Sequence, residues 1–209
     1  MLIVCVVVSY LLGTLSTGYL LTRFAFNNQN IDFRHIGASA ILEKTNIKTA
    51  SFVILVDFIK GLAYGLLLLS LFPSPEIKNI FHYCVIGMIL GHVFPFQRRN
   101  KGGRGVIISA GLLYSIIPLP MLIGSVFIIG IKLLFKDSAL AVFLSMPIIT
   151  ILTYFLPINY QIYKPNELVL FICLPIMIIL IYKRIFPKDF SLNSVTKQNF
   201  INRIFYDRD

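Results

Sequence analysis

Six apolar stretches of bilayer-crossing or nearly bilayer-crossing length follow one another along this chain, at residues 2–22, 49–72, 80–96, 106–131, 139–156 and 168–182. A helix needs about 20 apolar residues to cross the hydrocarbon core. Backbone in lipid must also satisfy its own hydrogen bonds. Together these facts predict an all-α, polytopic membrane protein. The composition agrees, because 57% hydrophobic residues against 13% charged leaves too little polar surface for a soluble fold. Residues 2–22 carry no charge and show no small-residue cleavage site after a short apolar core, so they read as a retained first helix. The expected organisation is a single integral-membrane domain over residues 1–209, with a basic tail at 183–209.

The net charge of +10 raises nucleic acid as a partner, but topology accounts for it first. Of 19 Lys and Arg residues, 16 fall in segments that can all be cytoplasmic. The exceptions are Lys78 and Lys164, which would lie outside, and Lys60, which lies within a span. Six crossings would bring both termini to one side, yet the first residues are almost uncharged and the tail holds six cations. An odd number is therefore expected. Pro118 and Pro120 sit in the middle of residues 106–131, where proline lacks the N–H that a continuing helix needs and restricts the residue before it. Splitting there predicts about seven transmembrane helices, N-terminus outside and C-terminus cytoplasmic. The first half then has only about 12 residues, some 18 Å of helix, against a hydrocarbon core of about 30 Å. It would have to start below the surface, as a short and partly re-entrant helix.

Between the third and fourth stretches lies Gly91-His92-Val93-Phe94-Pro95-Phe96-Gln97-Arg98-Arg99-Asn100-Lys101-Gly102-Gly103-Arg104-Gly105. Closely spaced glycines let consecutive N–H groups form an anion-binding nest, cations add full charge, and the next helix presents its positive end. A plain basic loop obeying the positive-inside rule would need the cations but not the glycines. Asp57 and Lys60 stand three residues apart on one helix inside an apolar span. Such charges are costly there, so they are usually paired and functional. Arg34 could clamp phosphate from the first loop, and His92 is the plausible hydrogen-bonding partner for a reacting hydroxyl or phosphate. Cys5, Cys84 and Cys173 have no metal-like spacing. No nucleotide-binding loop, zinc-protease pattern or serine elbow occurs.

At these residues the sequence resembles the bacterial acyl-phosphate:glycerol-3-phosphate acyltransferases, the PlsY family of small membrane enzymes. Gly13 to Tyr19 is similar to the family's Gly-Ser-x-x-x-Gly-Tyr, Asp32-Phe33-Arg34 to its Asp-Ile-Arg, and Asp57 to Gly61 to its Asp-x-x-Lys-Gly. Gly91 to Val106 is similar to Gly-His-x-x-Pro ending in Lys-Gly-Gly-Lys-Gly-Val, with Arg104 in place of lysine. The chain departs from the pattern after Gly37, where a polar Gly-Ser-Gly-Asn loop is shortened to Gly37-Ala38-Ser39-Ala40. It departs again after the last span, where Tyr182-Lys183-Arg184 replaces a His-Arg-x-x-Asn cluster.

The resemblance implies acyl transfer from acyl phosphate to the 1-hydroxyl of glycerol 3-phosphate, forming lysophosphatidic acid for phospholipid biosynthesis in the bacterial cytoplasmic membrane. It implies no cofactor, while the cysteine spacing gives no reason to expect a metal and the topological placement of the cations none to expect nucleic acid. The expected catalytic residues are His92, Lys60 and Arg34. Lys101, Gly102, Gly103, Arg104, Gly105, Ser16 and Ser39 are expected to bind substrate phosphate, with Asp57, Gly91 and Pro95 in support. Two alternatives fit the same residues: a relative that binds lipid phosphate or a membrane partner without turnover, and a small transporter. The single intramembrane charge pair and the absence of a convincing internal repeat weigh against the transporter.

Overall fold

A computed structural model of the chain describes residues 1–24, 41–42, 45–74, 77–98, 102–156 and 164–185. Among these, regular structure is helical throughout: α1 (Leu2–Thr14), α2 (Thr17–Phe24), α3 (Ile47–Leu71), α4 (Lys78–Val93), a 3-10 turn at Phe96–Arg98, α5 (Val106–Ile116), α6 (Pro118–Phe135), α7 (Ser138–Phe155) and α8 (Pro165–Ile185). They form two compact units, Met1–Ile116 and Ile117–Asp209.

In the first unit small residues let helices approach backbone to backbone, the usual solution where lipid supplies no hydrophobic drive between helices. α1 crosses α4 at a glycine pair. A Cβ on Gly13 would lie 3.0 Å from Gly91 Cα and 3.0 Å from His92 N. α3 meets α5 through Gly61, Gly65 and Gly111, where a Cβ on Gly111 would stand 2.8 Å from Leu62 N and one on Gly65 would run into the Ser115 hydroxyl. These crossings set the height of the neighbouring Lys60 and His92. Asn46 caps α3, its side chain accepting from Thr49 N at 2.9 Å, which satisfies one of the first-turn N–H groups.

The expected first helix over residues 2–22 is not continuous. α1 stops at Thr14 and α2 begins at Thr17, with Leu15 at φ −71° and ψ 89°. Side chains from elsewhere take over the carbonyls at that break, as described below. The expected proline break is present: Ile117 leaves the helical region at φ −131° and ψ 65°, and Pro118 opens α6, the position where its missing N–H costs nothing. α5 is consequently only 11 residues, roughly 16 Å long.

The second unit is built from α6, α7 and α8. α6 closes on Lys136 in the left-handed region at φ 54°, and Asp137 Oδ1 accepts from Leu140 N at 3.0 Å to start α7. Gly124 of α6 packs against Ile149 of α7. α8 contains a π-helical stretch, Val169–Cys173, directly before Pro175. Proline cannot donate to a carbonyl four residues back, and the wider turn, with Leu174 N bonded to Val169 O, absorbs the mismatch.

Large apolar side chains point outward along these helices, with Leu55, Val126, Leu133, Leu134 and Phe155 each more than half exposed. Apolar surface on that scale belongs in lipid. α3, the run Lys78–Arg98, α6 and α8 have the length and composition to cross a bilayer, and Leu2–Thr14, Val106–Ile116 and Leu140–Phe155 are shorter apolar helices. The chain is a multi-pass helical membrane protein.

Candidate functional site

A helix ends with carbonyls that have no intrahelical donor, and those of α1 are met by cations. Lys60 Nζ, from the middle of α3, donates to Gly13 O at 3.2 Å and also to Leu15 O. Arg98 Nη2, from the turn after α4, donates to Thr14 O. The negative end of α1 favours both charges. The break between α1 and α2 is thus held open by two side chains that arrive from 45 to 84 positions further along the chain.

The Arg98 segment is itself fixed to α1. Tyr10 donates its hydroxyl to Phe94 O at 2.7 Å and accepts from Phe96 N at 3.1 Å, while Gln97 Nε2 donates to Thr14 Oγ1 at 3.2 Å. The Arg98 guanidinium lies over the Tyr19 ring, 4.8 Å from its centroid, a cation–π arrangement. Asp57 is buried, and its Oδ1 accepts from Thr17 Oγ1 at 2.8 Å. Asp57 and Lys60 therefore spend their hydrogen bonds on α2 and α1, while the charge of each still acts on the other.

His92 occupies the last turn of α4 and is buried. Its carbonyl accepts from Gly103 N at 3.2 Å, which folds the glycine loop back across the helix end. The approach tolerates no side chain. A Cβ on Gly103 would stand 2.5 Å from His92 Nε2, and one on Gly102 would stand 2.6 Å from Pro95 Cδ and collide with the His92 and Val93 carbonyls. Gly105 adopts φ 84°, a conformation open to glycine and costly for other residues. Its carbonyl accepts from Ser109 N at 3.0 Å, so the loop runs directly into the positive end of α5.

Several polar side-chain atoms around this loop lack partners among the described residues. Among the described residues, His92 Nδ1, Arg98 Nη1 and Ser109 Oγ are buried and make no hydrogen bond. Such orphaned groups are uncommon in a folded protein and call for an occupant. The charges of Lys60 and Arg98 both act on His92, as expected of groups gathered around the Gly13 and Gly91 crossing. The arrangement offers positive charge, free hydrogen-bonding atoms and a side-chain-free loop, the requirements for holding an anion.

Of the residues expected from sequence, Gly91, His92, Pro95, Gly102, Gly103 and Gly105 come together at the loop, and Lys60 and Asp57 join them through the α1–α2 break. Ser16 is buried at the break, its Oγ 3.5 Å from Tyr19 N. Arg104 is half-buried on the loop. Arg34, Ser39 and Lys101 lie outside the described residues, as does the tail beyond Ile185. Sequence reasoning counted Arg98 among the cations of the loop without singling it out as a site residue, and passed over Thr17. The one available signal for Arg98 was its place three residues after Pro95, where a short turn could swing it back.

Fold and site define a helical membrane protein with a donor-rich, glycine-lined site. Residues 3–186 match the family model described as glycerol-3-phosphate acyltransferase. The glycerol-3-phosphate acyltransferase of Allorhizobium ampelinum is 32% identical over 157 residues, covering 74% of this chain and 75% of that protein. The one from Mesorhizobium japonicum is 34% identical, covering 74% and 78%. Two crystal structures of PlsY (YgiH), an integral membrane glycerol 3-phosphate acyltransferase, share the fold. The glycerol 3-phosphate form has a TM-score of 0.73 at 23% identity over 88% of each chain, and the lysophosphatidic acid form 0.74 at 22% identity over 100% of this chain and 93% of that one. The chain belongs to the glycerol-3-phosphate acyltransferase family.

Proposed function

We propose that this protein transfers an acyl group from acyl phosphate to the 1-hydroxyl of glycerol 3-phosphate. The hydroxyl oxygen forms a bond to the acyl carbon, the bond from that carbon to the phosphate oxygen breaks, and the hydroxyl proton ends on the departing phosphate. The products are lysophosphatidic acid and inorganic phosphate. Both substrates are phosphate anions and the donor is already activated, so catalysis can rest on positioning and charge stabilisation without a covalent enzyme intermediate.

The observation that carries this reading is the His92–Gly103 contact, which presents a side-chain-free backbone loop beside a histidine whose Nδ1 has no partner among the described residues. In this reading Gly102, Gly103 and Gly105, with Lys101 and Arg104, hold phosphate. Lys60 and Arg34 contribute charge, His92 bonds near the reacting oxygen, and Ser16 and Ser39 are accessory ligands. Asp57 supports α2 through Thr17. The test is direct: protein in lipid vesicles given palmitoyl phosphate and glycerol 3-phosphate is expected to release lysophosphatidic acid and stoichiometric phosphate. Binding of either substrate without product would convert the protein into a non-catalytic binder, and binding of neither would remove both readings.

The same reading places the protein in the bacterial cytoplasmic membrane, with seven crossings, the N-terminus outside and the glycine loop and C-terminus inside. Cation placement supports it. Leu134, 79% exposed near the end of α6, is the informative position. A Leu134→Cys variant lacking the native cysteines is expected to react with a membrane-impermeant maleimide only after the cells are opened. Strong labelling on intact cells would put this turn on the outer face and sink the topology.

A further inference from the structure

We propose that Arg98 is a substrate-positioning residue: its Nη1 binds a phosphate oxygen while its Nη2 holds the carbonyl of Thr14, so that anion binding and the break between α1 and α2 are joined through one guanidinium. The inference rests on the acyltransferase reading above and adds a ligand to it.

The geometry divides the guanidinium into used and unused parts. Nη2 is spent on Thr14 O, and the flat face is spent on Tyr19, 4.8 Å from the ring centroid. Nη1 is buried and has no partner among the described residues. A guanidinium is always charged and carries five donors in a rigid fork, so fixing one arm and one face aims the other arm. The segment that carries it is also tied down, because Tyr10 bonds on both sides of Pro95 and Gln97 bonds Thr14. A solvated surface arginine needs none of these restraints. Leaving a charged donor unpaired at the membrane is costly, and an anion in the neighbouring glycine loop would remove the cost.

The neighbours fit the same occupant. Lys60 Nζ uses two of its three N–H groups on Gly13 and Leu15, and the third has no partner among the described residues. The charges of Lys60 and Arg98 both act on His92. The shared chemistry is a phosphate group, which either substrate could supply.

The experiment measures kcat and KM for each substrate separately, and the inhibition constant for inorganic phosphate, in wild type, Arg98→Gln and Arg98→Lys. Thermal unfolding is followed in parallel. Arg98→Gln keeps a donor for Thr14 O but removes the charge and the fork, and one charged hydrogen bond is worth about ten- to a hundredfold in affinity. The expected result is a rise of that size in one KM and in the phosphate inhibition constant, with kcat falling less and the unfolding temperature little changed. A rise in the KM for glycerol 3-phosphate assigns Nη1 to the acceptor, and a rise in that for acyl phosphate assigns it to the donor. Arg98→Lys, whose single ammonium can serve Thr14 or the phosphate but not both in fork geometry, is expected to recover less than half of the lost affinity on a logarithmic scale. Unchanged KM values and phosphate inhibition in an active Arg98→Gln protein would overturn the inference while leaving the enzyme reading intact. Should Arg98→Gln fail to fold, Arg98→Lys decides the matter by the same readout. A wild type with neither turnover nor phosphate binding overturns both.

Discussion

Replacing Gly103 with leucine is expected to lower acyl transfer by at least about a hundredfold, the scale on which single stabilising donors act in a transition state. The reason is spatial. A Cβ at this position would already stand 2.5 Å from His92 Nε2, 3.2 Å from Cδ2 and 3.4 Å from Cε1, so even one added methyl must displace the imidazole or the loop. The His92 backbone also accepts from Gly103 N, so pushing them apart breaks the bond that closes the loop over the end of α4. Gly103→Ala is the sharper test, since it adds only the Cβ and leaves no bulk to argue about. Its activity is expected to drop well below a tenth of wild type in the lysophosphatidic acid assay. Because the clash is local to the loop, the helical content and the detergent unfolding temperature should change little. Full activity in Gly103→Ala would show that the loop lies elsewhere during turnover.

How much of this could be read from sequence depends on whether the deciding chemistry is local. Proline at 118 and 120 forbids a regular helix whatever surrounds it, and the chain breaks there as expected. Asp57 and Lys60 stand out because a span without other charges has to justify them. The glycine loop carries its own signature. The break at Leu15 and Ser16 carries none, since leucine, serine and threonine neither forbid nor demand a helix end. What ends the helix is a lysine and an arginine from other elements, and neither can be paired with residue 13 or 14 by spacing. Arg98 was in view among the cations of the loop but was not singled out, because a cation in a loop between two spans is already explained by membrane topology. Its contacts with Thr14 and Tyr19 are what give it a place in the site. Lys60 was found by sequence, but its carbonyl partners were not.

Those partners give Lys60→Met two distinct consequences. The thioether keeps most of the length and the apolar stem of lysine and removes every donor. Gly13 is a buried residue whose carbonyl then loses its partner, at a cost of about 1–3 kcal/mol. Leu15 is 55% exposed, so its carbonyl can turn to water or headgroups and adds little. A measurable but survivable loss of stability is therefore expected, seen as a lower unfolding temperature in detergent. Activity is expected to fall further, by roughly a hundred- to a thousandfold, because the third N–H and the full charge beside His92 vanish together. Lys60→Arg separates the two effects. It keeps the charge and can still reach a carbonyl, but its planar fork cannot copy the three-way geometry of an ammonium. It should restore most of the stability and only part of the rate. A Lys60→Met protein that keeps activity within about threefold of wild type would show that this lysine only closes the end of α1, and that the anion is held by the glycine loop and its neighbours alone.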